Sequence, residues 1–409
     1  MTESIETRRS WTVATLSLVA LAFSFGSIWI SVVALKPMAA ELGGARSVPA
    51  LATALAWFGS GLGGIAMGWF ADRYGVRWTV MIGSVMIAIG LTLSSFGHTW
   101  QLYLGHGLFI GLLGNSGLNA PLNVYVSRWF DRRRGSALAL IASGQYIAGA
   151  IWPPIFDYAI DAIGWRQTMF WYAIAEMLVL LPIAVFVLKR PPEVIVPATA
   201  ASGGAKPKVF GWPPNLVFAM LALGAFCCCI PMSMPQSHIV ALCSDLGIKP
   251  THGAAMLSLL LTTAFLARQM WGAISDRIGG LFTLLIGSVW QFLAITGLIF
   301  TQDEVGLFGV TAIFGMGFSG LVPAYVLVSR ELFPAREAGW RVPMLLCMSG
   351  FGMASGGWFA GILYDHFGYY APAFAAGLIF NFAHLCLIGT LVIKRTGWFD
   401  GARAAPVYG

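Results

Sequence analysis

Gly68-Trp69-Phe70-Ala71-Asp72-Arg73-Tyr74-Gly75-Val76-Arg77 returns in reduced form as Gly272-Ala273-Ile274-Ser275-Asp276-Arg277-Ile278-Gly279, so the shared Asp-Arg-x-Gly element stands 204 residues apart. Two further pairs keep that offset: Leu42-Gly43 with Leu246-Gly247, and Asp161-x-x-Gly164-Trp165 with Asp365-x-x-Gly368-Tyr369. A fourth, Gly114-x-Ser116-Gly117-Leu118 with Gly317-x-Ser319-Gly320-Leu321, lies at 203. Self-similarity at a fixed period marks a repeated structural unit. The chain reads as two copies of one half.

Composition puts both copies in lipid. Of 409 residues, 58% are hydrophobic and 10% charged, and the mean hydropathy is +0.77, which leaves too little polar surface to clothe a soluble globule. Twelve apolar runs, at 10–35, 47–71, 78–97, 100–127, 135–156, 167–188, 212–244, 251–275, 281–301, 305–329, 342–364 and 370–393, can each cross a hydrocarbon core of about 30 Å as a helix. The expected fold is an all-α membrane protein, with twelve transmembrane helices in two pseudo-symmetric six-helix bundles, 1–188 and 212–409. Between them, 189–211 carries Pro191, Pro192, Pro197, Ala201-Ser202-Gly203-Gly204 and several basic residues, the composition of a cytoplasmic linker. Two parallel six-helix halves can rock about a site between them.

Charge sets the orientation. With both termini on one side, that side holds 19 of the 24 Lys and Arg, the other side holds Lys36, Arg46, Arg166 and Lys249, and Arg268 lies within the membrane. The positive-inside bias therefore predicts an integral plasma (inner) membrane protein with both termini cytoplasmic. The net charge of +7 then meets anionic headgroups of membrane lipid, and no nucleic-acid partner is needed to explain it. All six cysteines fall in apolar runs without the spacing of a metal or redox site, so no metal and no cofactor is expected. The chain contains no G-x-x-x-x-G-K-[ST], G-x-S-x-G or H-E-x-x-H, and its loops are too short for a soluble catalytic domain, so an enzyme is not expected.

Arg268 is the residue that points to function. It sits in the run 251–275, and the nearest charge in that stretch of chain is Asp276, eight positions on and roughly 12 Å away at helical rise. A central arginine costs about 2.5–3.5 kcal/mol on insertion scales, so it normally faces a bundle interior or watery cavity and meets an anion there. The structural alternative is an ion pair with an acid on another helix. A guanidinium grips a carboxylate through two parallel hydrogen bonds, which a lysine cannot reproduce.

The stretch from Gly68 to Arg77 resembles the signature loop of the major facilitator superfamily, and the copy from Gly272 to Gly279 is a degenerate form of it. Within that superfamily, Ala267-Arg268-x-x-x-Gly272 and Arg128-Trp129-Phe130-Asp131-Arg132-Arg133-Arg134-Gly135 resemble the monocarboxylate porters and the oxalate/formate exchangers. The resemblance implies a secondary transporter of small organic anions working by alternating access, with Arg268 binding the substrate carboxylate. Two departures bound it. Proton-linked porters carry an acid one turn before this arginine and a lysine in helix one, whereas here the first position is Ala264 and helix one has no charge before Lys36. The exchangers hold a dianion with a second cation in helix eleven, and 342–364 has no Lys or Arg. One arginine balances one carboxylate, which favours a monocarboxylate over a dianion.

Several polar residues are candidates to line the same cavity. Asn115, Asn119 and Asn123 follow i, i+4, i+8 spacing and share a helix face, which looks either into the cavity or onto a neighbouring helix. Tyr146 in helix five, Tyr325 in helix ten and His238 with Gln236 in helix seven add polar tips. Glu176, in mid-helix six, either titrates during transport or stays neutral against a neighbour, and it and His238 are the candidate proton carriers. Asp72 with Arg73, and Asp276 with Arg277, are candidate ion pairs closing an inner gate. The expected protein is a monomer that carries a small organic anion with or without a proton. An oxalate/formate-type exchanger stays open, as does a membrane carboxylate receptor or channel.

Overall fold

A computed structural model describes residues 6–130, 133–188 and 209–396, so most of the linker expected at 189–211 lies outside the described residues. Among the described residues nearly everything is helix. Helices one to three are Arg8–Val33, Ser47–Tyr74 and Val76–Ser95, with a short helix, Leu35–Glu41, after the first. Helix four is composite, with a π-helical centre, Gly105–Asn115, between Thr99–Leu104 and Ser116–Ser127. Helix five starts at Arg134–Ala142 and runs on through Gly144–Pro182, where Gly164 (φ 79°, ψ 159°) breaks the course and starts helix six. Helices seven to nine are Pro214–Asp245, Pro250–Ile278 and Gly280–Phe300. Glu304–Phe318 with Leu321–Leu332 makes helix ten, and Ala335–Phe367 and Ala371–Thr396 are helices eleven and twelve.

The repeat seen in sequence is a repeat of backbone. Gly43 and Gly247, Gly75 and Gly279, and Gly164 and Gly368 stand 204 apart, and all six have positive φ between 77° and 103°. Only glycine enters that region without steric cost, so the same residues turn the chain at the same points in both halves. Among the described residues ten helical runs are long and apolar enough to span a membrane, one of them, Ser136–Val187, being helices five and six joined across Gly164. Helix four supplies the twelfth span. Large apolar side chains such as Leu178, Phe186, Leu293 and Ile379 remain exposed around the bundle, as lipid contact requires.

Two faces follow from the connectivity. The termini face carries Arg8, the turns at Gly75 and Gly279, and Thr396, and the far face carries the turns at Gly43, Gly164, Gly247 and Gly368. The halves meet where helix two packs on helix eleven and helix five on helix eight. Close approach at the far end of the first pair depends on Gly361, where a side chain would come within 3.0 Å of the Ser47 backbone. Midway along the same pair, Phe58 stacks on Phe351 at 4.6 Å.

Candidate functional site

Arg268 projects from helix eight at the seam between the halves. Its guanidinium lies over the ring of Tyr146, 5.3 Å from the centroid, and Tyr146 is buried on helix five of the other half. Phe318 from helix ten sits 6.2 Å from the same ring. Among the described residues no carboxylate pairs with Arg268, and the position one turn earlier is the buried Ala264. A cation over an aromatic ring gains about 0.5–2 kcal/mol, and a planar guanidinium carries five N–H donors. Two turns toward the far face, Leu261 and Trp29 both pack against Gly149, and Trp29 Nε1 donates to Gln145 O at 3.3 Å. The site is thereby roofed on its far side by apolar packing.

The remaining polar candidates take other places. Asn115 is fully buried against helix one, where the Ser24 hydroxyl donates to its Oδ1 and its Nδ2 donates to Ser27 Oγ at 3.3 Å. Asn119 is half-buried and accepts from Asn123 Nδ2 at its carbonyl, 2.8 Å, and at Oδ1, 3.3 Å. Tyr325 belongs to a buried chain inside the second half: its hydroxyl meets His384 Nε2 at 2.7 Å, and His384 Nδ1 meets Ser288 Oγ at 2.7 Å. Ser288 donates on to Asn381 Oδ1 at 3.3 Å. In the first half Ser84 donates to Glu176 Oε2 at 3.0 Å, and Ser84 and Ser288 are 204 residues apart. Each serine bond ties the third helix of a half to its sixth, so the structure places Glu176 in a brace within one half, away from Arg268.

At the termini face Asp72 pairs with Arg128 of its own half at 2.9 Å, while the Arg73 guanidinium lies over Trp69 and Tyr74 at 5.7 and 5.8 Å. Asp276 and Arg277 are exposed at the end of helix eight. Helix eleven starts earlier than the apolar run 342–364 and so takes in Arg341. That cation is spent: it pairs with Glu337 at 2.6 Å and lies over Phe218, Phe333 and Trp340 at 4.7, 4.1 and 4.5 Å.

The far face holds a polar cluster that the sequence reading did not single out. Arg46, 6% exposed, comes from the turn before helix two and reaches into the second half. Nη1 and Nη2 each donate to an oxygen of Asp245 at 2.5 Å, Nη1 donates to the Tyr370 hydroxyl at 2.7 Å, and the guanidinium stacks on Tyr364 at 3.7 Å. Burial alone would pull the Arg46 pKa down, but the hydrogen bonds to Asp245 and Tyr370 and their attraction hold it above the ordinary value. Lys36 joins Asp245 at 3.3 Å and donates to Ser244 Oγ at 2.7 Å. Asp365 on helix eleven accepts the backbone N–H of Arg46 at 2.7 Å and of Ser47 at 2.9 Å. His238 is part of this cluster, with Nδ1 3.0 Å from the Tyr370 hydroxyl and Nε2 2.8 Å from Gly357 O. Arg46 follows the repeated Leu42-Gly43 turn and Asp365 is itself a repeated residue, and that coincidence was the available signal.

Residues 17–233 and 221–397 match the family described as Major Facilitator Superfamily. An uncharacterized MFS-type transporter of Bacillus subtilis (strain 168), YcxA, is 24% identical over 308 residues, 70% of this chain and 72% of its own. Monocarboxylate transporter 13 of Bos taurus is 26% identical over 386 residues, 90% of this chain and 84% of its own. Among solved structures, a bacterial homolog of the human lysosomal transporter Spinster, inward-facing and occupied, matches with a TM-score of 0.69 at 17% identity, over 98% of this chain and 100% of that one.

Proposed function

This chain belongs to the Major Facilitator Superfamily, and within that family of transporters we propose that it carries small monocarboxylates by alternating access, with Arg268 binding the carboxylate. The observation behind this reading is the half-buried Arg268, set against Tyr146 at the seam of the halves with no carboxylate of the described chain paired to it. A substrate carboxylate would complete the charge and use the guanidinium's in-plane fork. The name of the Bos taurus relative supports the substrate class. So does the engagement of Arg341 with Glu337, which keeps that cation from serving a second anionic group.

With the termini face cytoplasmic, the far-face links are those that would hold a carrier closed on its outer side. The polar links between the halves gather at the far face, at Lys36, Arg46 and Ser47, and the Arg268 site lies below them. Transport then consists of breaking those links while the helices close at the cytoplasmic ends, which exposes Arg268 to the other side. The direct experiment is uptake of a labelled carboxylate panel into proteoliposomes, with counterflow measured on the same vesicles. Saturable counterflow lost in Arg268→Ala supports a carrier using this site, whereas flux without counterflow indicates a channel.

A further inference from the structure

We propose that the cluster at the far face is a proton-released latch, with His238 as the group that takes the proton; this rests on the alternating-access reading above. Gly357 O can only accept, so His238 Nε2 carries a hydrogen, and a neutral ring then presents the Nδ1 lone pair to the Tyr370 hydroxyl. The Tyr370 oxygen in turn accepts from Arg46 Nη1. Every hydrogen in the chain from Arg46 through Tyr370 and His238 to Gly357 is used once, and the chain closes only with a neutral imidazole.

A second proton on His238 makes Nδ1 a donor. The Tyr370 oxygen would then face two donors, Arg46 Nη1 and His238 Nδ1, and its own hydrogen would lose its acceptor. The new cation also stands beside Arg46 in a buried cluster. The charged and titratable groups around it are Arg46 from the start of helix two, Lys36 beyond helix one, Asp245 on helix seven, Tyr364 and Asp365 on helix eleven, and Tyr370 before helix twelve. The two carboxylates are already committed, Asp245 to Arg46 and Lys36 and Asp365 to the backbone of Arg46 and Ser47. Protonated His238 therefore has no free acceptor in the latched arrangement, and opening, which lets water reach the ring, relieves the conflict. Acid on the far face shifts the carrier toward its outward-open form.

The magnitude follows from linkage. If the latched form excludes the second proton and the opened form binds it with ordinary imidazole affinity, the open-to-latched ratio rises about thirtyfold between pH 8 and pH 5. The test places spin labels on Ala45→Cys and Lys249→Cys of the full chain in lipid nanodiscs, in a background of Cys347→Ser and Cys386→Ser, and measures their separation from pH 8 to pH 5 without any carboxylate. Wild type should gain a longer-distance population on acidification. His238→Gln, whose amide can donate to Gly357 and accept from Tyr370, should stay latched throughout, and Arg46→Ala should show the longer-distance population already at pH 8, which proves the labels report the latch. A wild type that does not respond to pH, or a His238→Gln protein that responds like wild type, overturns the proposal. No substrate enters the measurement, so failure of the Arg268 assignment would leave its outcome unchanged.

Discussion

Asp365 caps a helix of the other half: its carboxylate takes the backbone N–H of Arg46 at 2.7 Å, where helix two has no side-chain cap of its own. A carboxylate at a helix N-terminus satisfies donors that would otherwise lack partners and sits favourably in the helix dipole. The cap exists only while the far face is closed, so its loss selectively weakens the closed state.

Asp365→Ala should therefore shift the balance toward far-face opening by the value of a lost cap, about 0.5–2 kcal/mol, or roughly two- to thirtyfold. Accessibility of a single cysteine at position 45 to a membrane-impermeant thiol reagent, in the background lacking Cys347 and Cys386, measures it. Labelling no faster than in the Asp365-containing parent would refute a cap with this role.

Arg46→Ala should open the far face further. Removing one member of a buried ion pair costs about 3–5 kcal/mol, and the 23% exposure of the Asp245 side chain reduces that to about 1–3 kcal/mol here. The reversed pair, Arg46→Asp with Asp245→Arg, should recover part of the lost closure because the two side chains still meet across the seam. Thiol labelling of the reversed pair as fast as that of Arg46→Ala would show that the charges are not partners.

The architecture was legible because helix count and repeat are written locally. Apolar runs fix the spans, and Gly75 with Gly279 and Gly164 with Gly368 mark turns that only glycine makes cheaply. The far-face latch was not, because Arg46 meets Asp245 and Asp365, which are 199 and 319 residues away in the chain, and no periodicity encodes such a pairing. The asparagine stripe shows the same limit. Its spacing places Asn115 and Asn119 on one face, but only packing tells that Asn115 turns into helix one while Asn119 does not. Helix eleven began earlier than its apolar run because Arg341 is covered by three aromatic rings and an acid, a shelter the linear sequence does not display.

Glu176→Gln should fold and transport as wild type, with any stimulation by an inward proton gradient retained. The amide still accepts from Ser84, so the brace between helices three and six keeps its bond and stability should change by no more than about 1 kcal/mol. Uptake with and without the gradient decides the matter. If this substitution alone uncouples transport, Glu176 carries the proton and His238 does not.

Tyr146→Phe should keep most of the affinity for substrate, and Tyr146→Leu should weaken it by the value of the lost ring contact, about 0.5–2 kcal/mol or roughly two- to thirtyfold in Kd. Equilibrium binding in detergent separates this from effects on gating. Equal loss in both variants would show that the hydroxyl, not the ring, is what the site uses.

Binding of short monocarboxylates to Arg268→Ala and Arg268→Lys, measured by calorimetry on folded protein and followed by uptake in proteoliposomes, tests the central claim most directly. The guanidinium fork at the seam predicts no saturable uptake in Arg268→Ala and at most a few per cent in Arg268→Lys, since an ammonium cannot make the two parallel bonds. Oxalate should compete poorly in wild type, because Arg341 is held by Glu337 and supplies no second positive group. Near-normal carboxylate uptake by a well-folded Arg268→Ala protein would contradict the account.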